Sequence, residues 1–150
     1  MSGKASGKIN PLISQTFSTL LSCQQKMSYE ISREMKSYGI TRQQYEVLKI
    51  LDENSDDSMN LNKVKSHLRE NVPDISRIVQ RLVEKKLINR ERLSSDKRNS
   101  SISINAEGIK ALKEIEPVIK DKMDQFFGVL TSDELNELAR IISKVNQTKS

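Results

Sequence analysis

The sequence predicts a mainly α-helical fold with one small β-hairpin, and three observations predict it. Apolar residues recur at helical spacing near both ends of the chain, over residues 9–38 and again over 106–145. Five glycines, three prolines and no tryptophan in 150 residues suit a helical composition. Between those ends, residues 87–104 alternate apolar and polar side chains on either side of a short polar loop, the pattern of two paired strands.

Residues 1–8 are rich in Ser, Gly and Lys and read as a disordered tail. A first helix then carries Ile13, Phe17, Leu20, Met27, Ile31, Met35 and Tyr38, too long a stripe to bury within one small domain. Gly39 stops it, and Thr41 with Gln44 forms a capping box for a second helix through Tyr45, Leu48 and Leu51. A short helix over about 62–69 carries Val64 and Leu68, and residues 70–72 join it to a two-faced helix over 73–86. In that helix Ile75, Ile78, Val79, Leu82 and Val83 share one arc, while Ser76, Arg77, Gln80, Arg81 and Lys85 share the other, with Pro73 and Asp74 suited to the first turn. Two helices joined by so few residues, the second of them basic, describe a helix-turn-helix. The hairpin follows, its strands over 87–93 and 101–104 and its loop over 94–99. Asn105 caps a long helix through Ile109, Leu112, Ile115, Ile119, Met123 and Phe126, with Pro117 a candidate kink, and a second capping box at Thr131 and Glu134 opens the last helix.

The charge is concentrated. The chain carries +5 overall, but residues 60–100 hold eleven Lys and Arg against five acids, a net +6, which leaves −1 for the rest. A basic segment flanked by near-neutral helices is the footprint of a polyanion-binding module, and duplex nucleic acid is its commonest partner. A basic outer face on one helix fits a solvated surface equally well; it is the basic hairpin tip beside it that favours DNA. In the tip, Asp96, Lys97 and Arg98 place an arginine where a minor groove attracts it and a carboxylate can hold it extended. Lys63 and Lys65 are candidate phosphate contacts. By position along the two-faced helix, Ser76, Arg77 and Gln80 are expected to read bases, and Arg81 and Lys85 to anchor phosphates.

Other chemistries find little support. One histidine, one cysteine, no Gly-rich phosphate loop and no nucleophile motif leave no catalytic site to assemble, and no cofactor or metal is implied. His67 reads as a surface residue. Cys23 falls on or beside the first apolar stripe and reads as a small buried hydrophobe, with an oxidation sensor as the alternative. A single cysteine and the absence of an early apolar run suggest a cytoplasmic protein without a membrane segment.

A helix-turn-helix followed by a basic hairpin is a winged helix, and with long helices at both ends it resembles the MarR family of bacterial transcription regulators. The resemblance runs from residue 9 to the end. It rests on the run from Asp74 to Arg90, on Asp96-Lys-Arg98 at the wing tip, and on Ile104-Asn-Ala-Glu-Gly108 entering the fifth helix. Where the family often has Gly before the wing strand this chain has Lys86, which implies a left-handed lysine; Asn105 replaces the usual Thr cap. The resemblance implies residues 9–40 and 106–150 as a dimerisation region and residues 41–105 as a winged helix-turn-helix DNA-binding domain. It further implies a homodimer on a pseudo-palindromic operator, most often a repressor released by a small-molecule effector. A winged helix used only for protein–protein contact is the alternative, and would not need a basic stripe and a basic wing tip together.

Overall fold

The computed structural model describes residues 7–69, 72–92 and 100–148. Within them the chain forms α1 (Pro11–Ser37), α2 (Arg42–Glu53), α3 (Leu61–His67), α4 (Ile75–Glu84), β1 (Ile88–Arg92), β2 (Ser100–Ile104), α5 (Ala106–Phe127) and α6 (Ser132–Asn146). The mainly helical class with one antiparallel hairpin is the class expected from the sequence.

Local chemistry sets the helix ends. Asn10 caps α1 by accepting from the Leu12 amide at 2.9 Å, and Pro11 takes the first helical position, so the helix starts two residues inside its apolar stripe. Both expected capping boxes form, Thr41 with Gln44 and Thr131 with Glu134. The hydrogen bonds from Thr131 hold the Glu134 carboxyl below its ordinary range. Asn105 caps α5 through the Gly108 amide at 3.0 Å, and α5 continues as helix on both sides of Pro117. The link between α3 and α4 is longer than expected. Leu68 adopts an extended backbone that ends α3 at His67, and Asp74 is the cap of α4, so Pro73 and Asp74 precede that helix instead of forming its first turn.

The core is built around α2, which packs against α1, α3, α4, α5 and β2. Its Val47, Leu48 and Leu51 are buried against Met35 of α1, Val64 of α3, Val79 and Leu82 of α4, Ile102 of β2 and Ile115 of α5. The hairpin pairs Ile88 with Ile104, Arg90 with Ile102 and Arg92 with Ser100, and the Ile102 amide donates to the Met59 carbonyl at 2.8 Å, which fastens the wing to the body. Gly108 is needed at the start of α5, because a Cβ there would stand 2.2 Å from the Leu87 carbonyl oxygen. Lys122 of α5 reaches Glu30 and Glu34 of α1 at 3.6 and 3.5 Å, tying those two helices together.

The ends of the chain differ from the body. Residues 7–26 are all exposed, and α6 has no buried residue, so Ile13, Phe17, Ile141, Ile142 and Val145 stand in solvent in the single chain. Cys23 is a correction to the sequence reading. It is exposed, as is every described residue from 7 to 26 along that half of α1. Residues 1–6 of the expected tail lie outside the described residues. No described helix is long and apolar enough to cross a membrane.

Candidate nucleic-acid interface

The two faces of α4 separate as the spacing requires. Val79 and Leu82 are fully buried, Ile75, Ile78 and Val83 pack half-buried against the core, and Ser76, Arg77, Gln80, Arg81 and Lys85 are exposed. Asp74 accepts from the Arg77 amide at 3.2 Å, so its carboxylate closes the first turn and complements the positive end of the helix. Burying one face of a ten-residue helix fixes the azimuth of the other, and the outward set is therefore rigidly aimed.

The exposed cations are held differently. Arg77 has no side-chain partner among the described residues. Arg81 bonds Glu84 at 3.3 Å, and the Gln80 amide donates to the same carboxylate at 3.4 Å. Both side chains of the Arg81–Glu84 pair are at least half exposed, so it is worth little and can open for an incoming anion. Lys85 instead donates its ammonium to the Gly39 carbonyl and to Gln44 Oε1. A groove of about 270 Å³ lies between the starts of α2 and α4, lined by Gln43, Val72, Pro73, Asp74, Arg77 and Arg81.

On α3, the Lys63 ammonium donates to the Ser58 carbonyl at 2.8 Å, whereas the exposed Lys65 ammonium makes no hydrogen bond or ion pair to any described residue. His67 is exposed and its Nδ1 lies 2.8 Å from the Lys63 carbonyl, consistent with a surface residue. At the wing base, Arg90 Nε donates to Ser100 Oγ at 3.0 Å across the strands. The tip residues Asp96, Lys97 and Arg98 lie outside the described residues.

Two features are not legible in the sequence. Gln43 borders the groove, and nothing local marks which side of α2 faces α4. Gln44 reads only as a capping residue, yet it is buried and holds Lys85, a partner forty-one residues away in sequence.

The end of α4 confirms the left-handed lysine. Lys86 has φ 59°, its amide donates to Val83 and the Leu87 amide donates to Leu82, which is a Schellman closure with lysine in the glycine position. Asn105 Nδ2 donates to the Lys86 carbonyl at 3.0 Å, so the cap of α5 also steadies the turn.

Comparison with known proteins agrees with this architecture. Residues 30–115 match the family model described as transcriptional regulator SarA/Rot, a span that holds α2, α3, α4 and both strands. The chain is 29% identical over 119 residues to the HTH-type transcriptional regulator MgrA of Staphylococcus aureus, covering 78% of this chain and 77% of that one. Among solved structures, AbsC, a MarR family transcriptional regulator from Streptomyces coelicolor, superposes with a TM-score of 0.82 at 18% identity, covering 95% of this chain and 97% of that one. A mutant MarR from E. coli complexed with operator DNA gives 0.75 at 20% identity, covering 93% and 99%. The fold is thus that of MarR regulators, and the chain, matched over more than half its length, belongs to the SarA/Rot family of transcriptional regulators.

Proposed function

We propose that this regulator binds duplex DNA sequence-specifically as a cytoplasmic homodimer, and acts without enzymatic chemistry. The observation that carries the reading is the aim of α4: its apolar face is locked into the core while Ser76, Arg77 and Gln80 face solvent, on a helix of a size that a major groove admits. Arg77 has no competing side-chain partner among the described residues, which supports giving it the role of meeting a guanine edge. Arg81 and Lys65 are the phosphate anchors, with Lys63 held closer to its own backbone. Asp96, Lys97 and Arg98 form the proposed minor-groove tip of the wing. The neighbour solved with operator DNA supports this mode of engagement.

The exposed stripes of α1 and α6 supply the dimer. A second copy related by a two-fold axis would cover both and set two copies of α4 against successive major grooves of a pseudo-palindrome. Repression, relieved by a small-molecule effector, is the regulatory outcome we propose.

Selecting fragments from a random duplex pool with the purified protein tests the reading. A two-fold symmetric motif, bound more tightly than scrambled duplex and weakening steeply with salt, is the expected result. Equal affinity for motif and scrambled duplex would overturn it.

A further inference from the structure

Lys85 stands at the joint between the recognition helix and the long N-terminal helix. We infer that it is a positioning residue, clamping the end of α4 to the end of α1 and so setting the spacing at which two copies of α4 meet DNA. The inference rests on the DNA-binding reading above and departs from the phosphate-anchoring role expected from the sequence.

Three helices converge on this one ammonium. Helix α1 ends in a Schellman closure, with Gly39 at φ 69°, its amide donating to Lys36 at 3.0 Å and the Ile40 amide donating to Met35 at 3.2 Å. The carbonyl of that same Gly39 accepts from Lys85 Nζ, at a helix end whose partial negative charge favours a cation. Gln44 Oε1 accepts from the Thr41 amide at 3.2 Å, closing the capping box of α2, and also accepts from Lys85 Nζ at 3.2 Å. Lys85 is itself the C-cap of α4. An ammonium has three N–H donors, and two of them are committed here to acceptors on other elements.

The mechanical consequence follows from the length of α1. Its 27 residues make a rod of about 40 Å, at 1.5 Å per residue. Its far half carries the apolar stripe assigned to the second copy, while its near end is where Lys85 holds α4. A few degrees of play at that joint would shift one recognition helix against its mate by ångströms, and a half-site spacing is read on that scale.

The experiment uses the full chain and its selected operator, with Lys85→Met and Lys85→Arg. A clamp needs a small ammonium between two acceptors, whereas a phosphate anchor needs only charge, and a planar guanidinium supplies the second without the first. The expected result is that both variants bind the selected operator about tenfold more weakly, the scale of one missing charge-assisted hydrogen bond. Both should also discriminate less between the native half-site spacing and one lengthened by a base pair, and both should keep the wild-type salt slope on scrambled duplex. If Lys85→Met instead lowers operator and scrambled affinity equally and flattens the slope by about 0.9 for each phosphate no longer neutralised, while Lys85→Arg behaves as wild type, Lys85 is a phosphate anchor and the inference fails. An unchanged spacing preference in both variants overturns it as well.

A second measurement needs no DNA. Amide hydrogen exchange in the first turn of α2 and the last turn of α4 should accelerate in Lys85→Met, and unchanged exchange there refutes the clamp directly. Accelerated exchange in a protein whose wild type shows no sequence preference would leave the clamp standing and remove the DNA-binding reading, so the two can fail separately.

Discussion

Helices α2 and α6 begin in the same way and end in opposite circumstances. Each is opened by a threonine capping box and each carries an apolar stripe at helical spacing, yet α2 buries six residues at the centre of the core and α6 buries none. The caps and the spacing state that a helix forms and which of its faces is apolar. They do not state what covers that face. For α2 the cover is its own chain, whereas in α6 and the first half of α1 the described residues bury no side chain. Leaving Phe17, Ile141, Ile142 and Val145 in water forfeits roughly 25 cal/mol for every Å² of apolar surface, so a partner surface is favoured, and a second copy supplies both stripes at once.

The largest expected effect breaks this comparison at the uncovered end. Phe17→Asp or Ile142→Asp should give a folded monomer by light scattering, and operator affinity should fall by about 10²-fold or more, the scale on which two linked sites exceed one. An unaltered mass in both variants would mean that these stripes are covered by something other than a second copy.

At the covered end the effect should fall on stability instead. Leu82 is fully buried on the inner face of α4, so Leu82→Ala should cost about 2–5 kcal/mol in denaturant unfolding. The protein that remains folded should keep the wild-type mass. A Leu82→Ala protein that dissociates without losing stability would show that the core and the exposed stripes of α1 and α6 are not separable in this way.

How much of this is legible in the sequence depends on the range over which each feature is encoded. Both capping boxes, the Asn105 cap, the two faces of α4 and the strand alternation are set by residues close together in sequence, and all appear in the structure; the left-handed Lys86 appears as well, but it is implied by the resemblance, which puts a glycine there. The cap at Asn10 is equally local, but Ile9 hides it by standing as the apparent start of the stripe. What the sequence does not disclose is whatever depends on distant packing. Cys23 lies beside an apolar stripe and is nonetheless exposed, because burial is a property of the neighbour and not of the helix. Lys85 and Gln44 meet only because α1, α2 and α4 converge, and neither side chain carries a local sign of the other.

A smaller effect sharpens the comparison on the outward face of the body. Arg77→Ala removes a side chain with no partner among the described residues, so stability and mass should stay near wild type while specific affinity drops by about 1–3 kcal/mol at one position of each half-site. Competition with scrambled duplex decides the role. Equal losses on both duplexes would make Arg77 a phosphate contact.

The smallest expected effect lies where α1 passes from arm to body. Helices α1 and α4 close with the same Schellman pattern, but the left-handed position holds Gly39 in one and Lys86 in the other, at φ 69° and 59°. Glycine meets no steric cost there, whereas an L side chain costs roughly 1–2 kcal/mol. Opposite substitutions at equivalent positions should therefore have opposite signs. Gly39→Ala should destabilise by about 1 kcal/mol, although no atom stands within 4 Å of the added Cβ, because the penalty is in the backbone. Lys86→Gly should stabilise by less, a few tenths to about 1 kcal/mol, because glycine also gains freedom in the unfolded chain and offsets part of the relief. Neither change touches the stripes of α1 or α6, so the dimer should dissociate at the wild-type concentration in both. Should Lys86→Gly prove destabilising in chemical unfolding, the lysine side chain would have to be making an interaction worth more than its backbone strain, and the equivalence of the two helix ends would be only geometric.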